Sequence, residues 1–71
     1  MTTLGQFAKQ KRTAARLTQT AVAQAMGYNN RSECRRREDG TIEWKLNDVI
    51  VLARLLGMMA SELLAEFENL R

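Results

Sequence analysis

The sequence contains no histidine and no proline, and Cys34 is its only cysteine. A structural zinc site takes four ligands, mostly cysteine and histidine, and this chain has only one residue of these two types. A single cysteine also excludes a disulfide within the chain. The sequence shows no glycine-rich phosphate loop and no pairing of a nucleophile with a base. We therefore expect a protein that holds no metal and no cofactor and that is not an enzyme.

Hydrophobic residues are numerous but form no long run. They make up 45% of the 71 residues, a share typical of globular proteins. No apolar run approaches the ~20 residues that span a membrane, and the N-terminus lacks the apolar core of a signal peptide. The absence of proline and the four scattered glycines favour helices with short connections. We expect one cytoplasmic, all-α domain over residues 1–71, with no membrane partner.

Positive charge is concentrated in the first part of the chain. Residues 1–40 contain eight lysine and arginine residues against three acidic ones, whereas residues 41–71 contain three against five. The net charge of +3 therefore combines a basic N-terminal part with an acidic C-terminal part. This asymmetry indicates which part would face a polyanion such as nucleic acid, although basic surfaces also arise by chance in small proteins.

Helix-start signals and apolar spacing predict five helices. Thr3 and Gln6 match a capping box at the start of the first helix. Thr18 is a suitable N-cap for a short second helix over about residues 19–26, which Gly27 would end. The fourth and fifth helices have apolar faces, from which we expect most of the core: Leu46, Val49, Ile50, Ala53 and Leu56 in one, and Leu63, Leu64, Phe67 and Leu70 in the other.

The third helix is different because it is almost entirely polar. Asn30 and Glu33 match an asparagine-led capping box for a helix over about residues 31–38. Cys34 is its only apolar residue and is expected to face inward. Because the helix lacks the apolar stripe of an ordinary core helix, we expect packing not to be its main purpose.

Two short helices joined by a turn, the second polar and basic, are the arrangement that a major-groove reader needs. Helical spacing puts Arg31 with Arg35, and Ser32 with Arg36, on one surface. The arginine run over residues 35–37 is either a solvated face or a set of contacts to bases and phosphates, and its place in this helix favours contact. We expect Arg31 or Arg36 to read a guanine, because arginine is the usual bidentate partner of that base.

Three stretches of the chain match a known family pattern. The first runs from Leu4-Gly5 to Arg12. The second is TQTAVAQAMG at residues 18–27, followed by YNNRS at 28–32, and the third is LARLLG at residues 52–57. The most specific features are Thr18-Gln19, Ala23 four residues before Gly27, and Glu38 shortly before Gly40. In these residues the chain resembles the lambda-repressor/Cro-type (XRE-like) helix-turn-helix family. The resemblance implies a compact five-helix, lambda-repressor-like domain with its helix-turn-helix at about residues 18–39.

The resemblance also implies a function and a site. It implies a homodimeric Cro- or repressor-type regulator, in a bacterium or a phage-infected cell, whose third helix reads a two-fold-related operator in double-stranded DNA. Gln19 matches a residue that contacts the DNA backbone, and Arg12 and Glu38 match a partly buried ion pair. The positions matching contacts to bases or phosphates are Asn30, Arg31, Ser32 and Arg36, to which the arginine run adds Arg35 and Arg37.

Three residues or spacings depart from the family pattern. The gap from Gly27 to Cys34 is one residue longer than is commonest, which predicts an enlarged turn. Arg37 replaces an apolar residue, so either its stem lies on the core with its head at a phosphate, or the helix is rotated. Trp44 stands where the family often has a proline. Its side chain either packs in the core or anchors the turn, or it is a platform on which a base stacks.

Alternative functions remain open at this point. One is a helical protein-interaction module that has lost DNA binding, and another is an antitoxin or a restriction-controller regulator. One module buries only ~600–1,000 Å² on DNA, which is too little for high sequence specificity, so we expect a dimer. Phe67 and Leu70 are candidates for a dimer seam, since a monomer would cover Leu70 poorly.

Overall fold

The computed structural model describes residues 2–70. Within them the chain folds into five α-helices: α1 (Leu4–Ala14), α2 (Gln19–Ala25), α3 (Ser32–Asp39), α4 (Leu46–Leu55) and α5 (Ala60–Asn69). The described part of the chain contains no strand, which confirms the expected all-α class. None of these five helices is both long and apolar enough to cross a membrane.

The first two helices begin at the threonines that the sequence indicates. Thr3 Oγ1 accepts a hydrogen bond from the Gln6 N–H at 3.2 Å, and Gln6 Oε1 accepts one from the Thr3 N–H at 3.0 Å, which completes a capping box. Thr18 Oγ1 accepts from the Ala21 N–H at 3.0 Å and so starts α2. Gly27 follows α2 with a φ of 92°, a conformation that glycine adopts without steric cost and that turns the chain toward α3.

The core draws on all five helices rather than mainly on the last two. Its buried apolar members are Phe7, Ala8, Val22, Ala23, Met26, Cys34, Val49, Leu52, Ala53 and Leu63. Phe67 of α5 packs against them, with its ring centroid 5.4 Å from that of Phe7. The prediction that Leu46 belongs to the core is wrong: Leu46 is 71% exposed because it lies to one side of the buried face of α4, in which Leu52 takes part instead.

The start of α3 differs from the predicted capping box. The helix begins at Ser32, and Arg31 precedes it without a side-chain cap. Asn30 Oδ1 accepts from the Ser32 N–H at 2.8 Å, so Asn30 satisfies one backbone donor of the first turn. Glu33 does not return a bond to Asn30, because its carboxylate accepts from Arg37 Nη1 at 3.1 Å one turn later on the same side of the helix.

Helices α1 and α3 lie in close contact at Gly5. A side chain at this position would overlap the carbonyl oxygens of Arg37 and Glu38. The missing Cβ of Gly5 therefore allows the backbone of α1 to contact the last turn of α3 directly. Arg37 and Glu38, whose carbonyls lie at this contact, also have buried side chains. The placement of α3 thus depends on both its backbone and its polar side chains.

Candidate nucleic-acid interface

Helices α2 and α3 form a helix-turn-helix, joined by residues 26–31. One side of α3 faces the core, where Cys34 is 1% exposed. The opposite side is exposed and carries Arg35 and Arg36, and the exposed Arg31 directly precedes the first turn. This short helix and its entrance therefore present three guanidinium groups to solvent.

The exposed arginines have few competing contacts. Neither Arg31 nor Arg36 makes a salt bridge or a side-chain hydrogen bond with any residue of the described range 2–70. Arg35 Nη1 lies 3.3 Å from Asp39 Oδ2, in an exposed pair four residues apart along the helix. Exposed pairs of this kind contribute only about 0.2–1 kcal/mol. All three guanidinium groups are therefore available to an anionic ligand.

A buried polar cluster around Glu38 joins α3 to α1 and α2. Arg12 Nε donates to Glu38 Oε2 at 2.6 Å, and Gln19 Nε2 donates to Glu38 Oε1 at 3.0 Å. Arg12 Nη1 also donates to the Leu17 carbonyl at 2.9 Å. Buried charge is costly unless it is paired and hydrogen-bonded. Here both requirements are met, and three helices are held at one carboxylate.

Cys34 lies against the same carboxylate, with its Sγ donating to Glu38 Oε2 at 3.4 Å. Burial, together with the negative charge of Glu38, raises the pKa of the Cys34 thiol to about 12. Because the thiolate is the reactive and metal-binding form of cysteine, Cys34 acts here as a small core residue. No group of three potential metal ligands, with or without Cys34, occurs among residues 2–70.

Arg37 does not belong to the exposed arginine surface. Its side chain is 2% exposed, and its guanidinium donates to Asp48 Oδ2 at 2.7 Å and to Tyr28 Oη at 2.6 Å. Arg37 Nη1 also donates to the Glu33 carbonyl at 2.9 Å. Arg37 is among the residues predicted from the sequence to contact DNA, and each of its side-chain nitrogens has a partner inside the protein. The head of this arginine is paired with a carboxylate of α4 and not exposed for a phosphate.

The partners of Arg37 are residues that sequence patterns alone did not indicate. Asp48 lies in the first turn of α4, and Tyr28 lies in the turn after α2 with its ring centroid 4.4 Å from the guanidinium carbon. Burial alone would raise the pKa of Asp48, but hydrogen bonds from Arg37, the Lys45 N–H and Tyr28 lower this pKa below its ordinary value. The one available signal was Arg37, which stands where the family pattern has an apolar residue. Asp48 gave no signal, because an acidic residue in the first turn of a helix is ordinary.

The chain matches the model of one known protein family. The family model that describes the helix-turn-helix domain matches residues 3–67, which is nearly the whole chain. The chain belongs to the helix-turn-helix domain family. This result confirms the family resemblance seen in the sequence, and the activity of such domains is DNA binding. Neither a curated protein nor a solved structure matches the chain.

In this helix-turn-helix domain the other residues predicted to contact DNA lie at the entrances of α2 and α3. Asn30 is exposed, and its amide oxygen is bound to the Ser32 N–H. Ser32 and Gln19 are half-buried, and the amide nitrogen of Gln19 is bound to Glu38. Asn30 and Ser32 flank the exposed Arg31 in the chain, and the bonds of Asn30 and Gln19 already help to hold α3 in place.

The two candidates for a dimer seam of this helix-turn-helix domain lie in different environments. Phe67 is half-buried against the core beside Phe7. Leu70, the C-cap residue of α5, is 52% exposed. Other large apolar side chains are exposed in the same part of the chain: Leu55, Met59 and Leu64. The exposed apolar surface of this part therefore extends beyond the two residues named from the sequence.

Proposed function

We propose that this protein is a sequence-specific transcriptional regulator that binds double-stranded DNA with α3 in the major groove. The observation that carries the proposal is the difference between the two sides of α3. Buried ion pairs hold one side against α1 and α4, whereas the other side carries exposed arginines that packing does not use. The major groove is about 12 Å wide and admits one helix. A basic helix with a free outer face fits that groove.

The exposed side chains have distinct roles in this proposal. Arg31 and Arg36 have no protein partner among residues 2–70, so each can bind the O6 and N7 atoms of a guanine, an interaction worth about 1–3 kcal/mol. Arg35 exchanges its weak exposed pair for a phosphate. The remaining polar contacts come from the entrances of the two helices: Gln19, Asn30 and Ser32.

The functional unit is a homodimer of the Cro or repressor type. Two modules related by a two-fold axis place their reading helices in successive major grooves ~34–36 Å apart. Large apolar side chains are exposed on α5, in the turn before it and at the end of α4: Leu55, Met59, Leu64 and Leu70. Burying these side chains against a second copy removes apolar surface from water. We therefore assign the dimer contact to α5 and its surroundings, with Phe67 beneath it.

Selection of bound sites from random double-stranded DNA tests this function. We expect one enriched half-site that recurs with two-fold symmetry. Binding to it should weaken steeply with salt, with a slope of log K against log salt of about −0.9 for each phosphate contact. A flat salt response, or the absence of any enriched sequence, would contradict the proposal and would favour a protein-interaction module.

Arginine variants locate the contact surface. Arg31→Ala and Arg36→Ala should each weaken binding to the selected site by about 5- to 150-fold and relax the preference for one base pair. Arg54→Ala is the matched control, because Arg54 is exposed on α4 and its replacement removes the same charge elsewhere. The control should change the Kd no more than about threefold. Equal losses on specific and nonspecific DNA for both α3 variants would exclude base reading by these arginines.

A further inference from the structure

The buried residues Arg37 and Asp48 and the half-buried Tyr28 form a cluster, which we call the buried charge cluster, on the side of α3 that faces away from the exposed arginines. We propose that this cluster positions α3 for base reading and so determines how strongly the protein prefers one DNA sequence; the inference rests on the proposed function. Tyr28 belongs to the turn between α2 and α3, Arg37 to the last turn of α3 and Asp48 to the first turn of α4. The buried charge cluster thus connects three segments around the reading helix.

The hydrogen bonds of the buried charge cluster form a closed triangle. Arg37 Nε donates to Asp48 Oδ2 at 2.7 Å, and Arg37 Nη2 donates to Tyr28 Oη at 2.6 Å. Tyr28 Oη completes the triangle by donating to Asp48 Oδ1 at 3.0 Å. A guanidinium is planar and its donors point in fixed directions. Because all three bonds must be satisfied together, the triangle restricts the rotation of α3 about its own axis.

Further bonds hold the Arg37 guanidinium on α3 and join the end of this helix to Trp44. Arg37 Nη1 donates to the carbonyl and the carboxylate of Glu33, at 2.9 and 3.1 Å, in the first turn. At the other end, Trp44 Nε1 donates to the Arg37 carbonyl at 3.0 Å. Arg31 precedes that first turn and Arg36 is the neighbour of Arg37. Any rotation of α3 therefore moves both exposed arginines relative to a base pair.

Directional bonds at this position have a consequence that apolar packing lacks. Apolar packing is non-directional, whereas a network of buried polar groups favours the one arrangement in which all its members are satisfied. Bidentate base readout requires two donors to be aligned with two acceptors. Phosphate contacts fix the protein on the duplex without reading the sequence. The buried charge cluster should therefore affect sequence preference more than nonspecific affinity.

Tyr28→Phe tests the inference, because it removes the hydroxyl group and keeps the ring beside Arg37. The Kd would be measured for the selected site and for a scrambled duplex of the same length, at equal salt and at a temperature where circular dichroism shows a folded protein. We expect the ratio of the two Kd values to fall about tenfold, a change of roughly 1.4 kcal/mol. The nonspecific Kd should stay within about twofold, and the salt slope should not change. Asp48→Asn, which keeps the shape of the side chain, should lower the ratio in the same way.

Leu63→Val is the matched control, because it removes a buried methylene from α5, a helix that contributes no residue to the buried charge cluster. It should lower Tm and keep the parental Kd ratio. A Tyr28→Phe protein with a lower Tm but the parental Kd ratio would overturn the inference, since the cluster would then only stabilise the fold. A parent protein that prefers no sequence at all would overturn the proposed function, and the inference with it.

Discussion

Arg37→Met removes the cation from an ion pair whose two side chains are both 2% exposed. Asp48 then remains buried with bonds only from the Lys45 N–H and the Tyr28 hydroxyl. Breaking a buried pair in this way costs about 3–5 kcal/mol, because the remaining charge is not compensated. A domain of 71 residues has a free energy of unfolding of roughly 4–11 kcal/mol. The single substitution therefore removes a large part of the stability of the protein.

The dependence of this loss on pH identifies its cause. Burial alone would raise the pKa of Asp48, but in the parent protein hydrogen bonds, first among them that from Arg37, lower it below the ordinary value of about 3.9. The stabilisation is thus present above about pH 4 and is lost as the pH falls through the pKa of the folded state. In Arg37→Met the pKa of Asp48 should rise, because burial is opposed by fewer bonds. The difference in stability between the two proteins should shrink as the pH falls from about 7 to about 3.

Urea unfolding followed by circular dichroism at several pH values measures this difference, provided that the m-values agree. The double variant Arg37→Met/Asp48→Leu should recover most of the stability, because apolar replacement of a buried ion pair is often neutral. Arg35→Met, which breaks only the exposed pair with Asp39, should cost less than about 1 kcal/mol. A loss for Arg37→Met as small as that of Arg35→Met, or a loss that is the same at every pH, would show that the buried ion pair is not what stabilises the fold here.

Two further substitutions and the reactivity of Cys34 test other parts of the structure. Gly5→Ala should lower stability in thermal unfolding by about 1–3 kcal/mol or more, because overlap with two backbone carbonyls outweighs a gain in helix propensity of about 1 kcal/mol; a higher Tm would contradict this. Arg16→Gly should raise stability by about 0.5–1 kcal/mol, since Arg16 has a φ of 59° that is unfavourable for side chains, and an unchanged Tm would count against that strain. The raised pKa of the Cys34 thiol favours its protonated form in the folded state, so Cys34 should resist thiol reagents at about pH 8 until the protein unfolds. For the same reason the free energy of unfolding should decrease as the pH rises from about 8.5 toward 12. Rapid labelling of the native protein would disprove this.

The helix starts could be predicted because they depend on residues close together in the chain. Thr3 and Thr18 each bond to a backbone N–H three positions later, and such caps are visible in the sequence. Cys34 could be assigned to the interior because it is the only apolar residue of its helix. Leu46 was misassigned because apolar spacing does not show which part of a helix face the neighbouring helices cover.

The buried charges could not be assigned from local patterns. Arg37 and Asp48 are 11 residues apart and meet only when α3 and α4 pack together. A basic residue in a run of arginines is expected at the surface, since charges are rarely buried without a partner, and the partner lies in another helix. The contact between Arg12 and Glu38, which are 26 residues apart, was expected only because the family resemblance implied it. Long-range pairing of polar residues was thus the main information that the sequence patterns lacked.

In the proposed function, the exposed side of α3 reads bases while buried ion pairs hold its other side. A thermodynamic cycle measures whether one arginine of α3 reads one base pair. The Kd would be measured for the parent protein and Arg36→Ala, each on the selected site and on sites in which one guanine pair at a time is replaced. If Arg36 reads one guanine, the two losses at that position should be coupled by at least about 1 kcal/mol and should be additive at the other positions. Additive losses at every position, with Arg31→Ala giving the same result, would contradict base reading by the exposed side of α3.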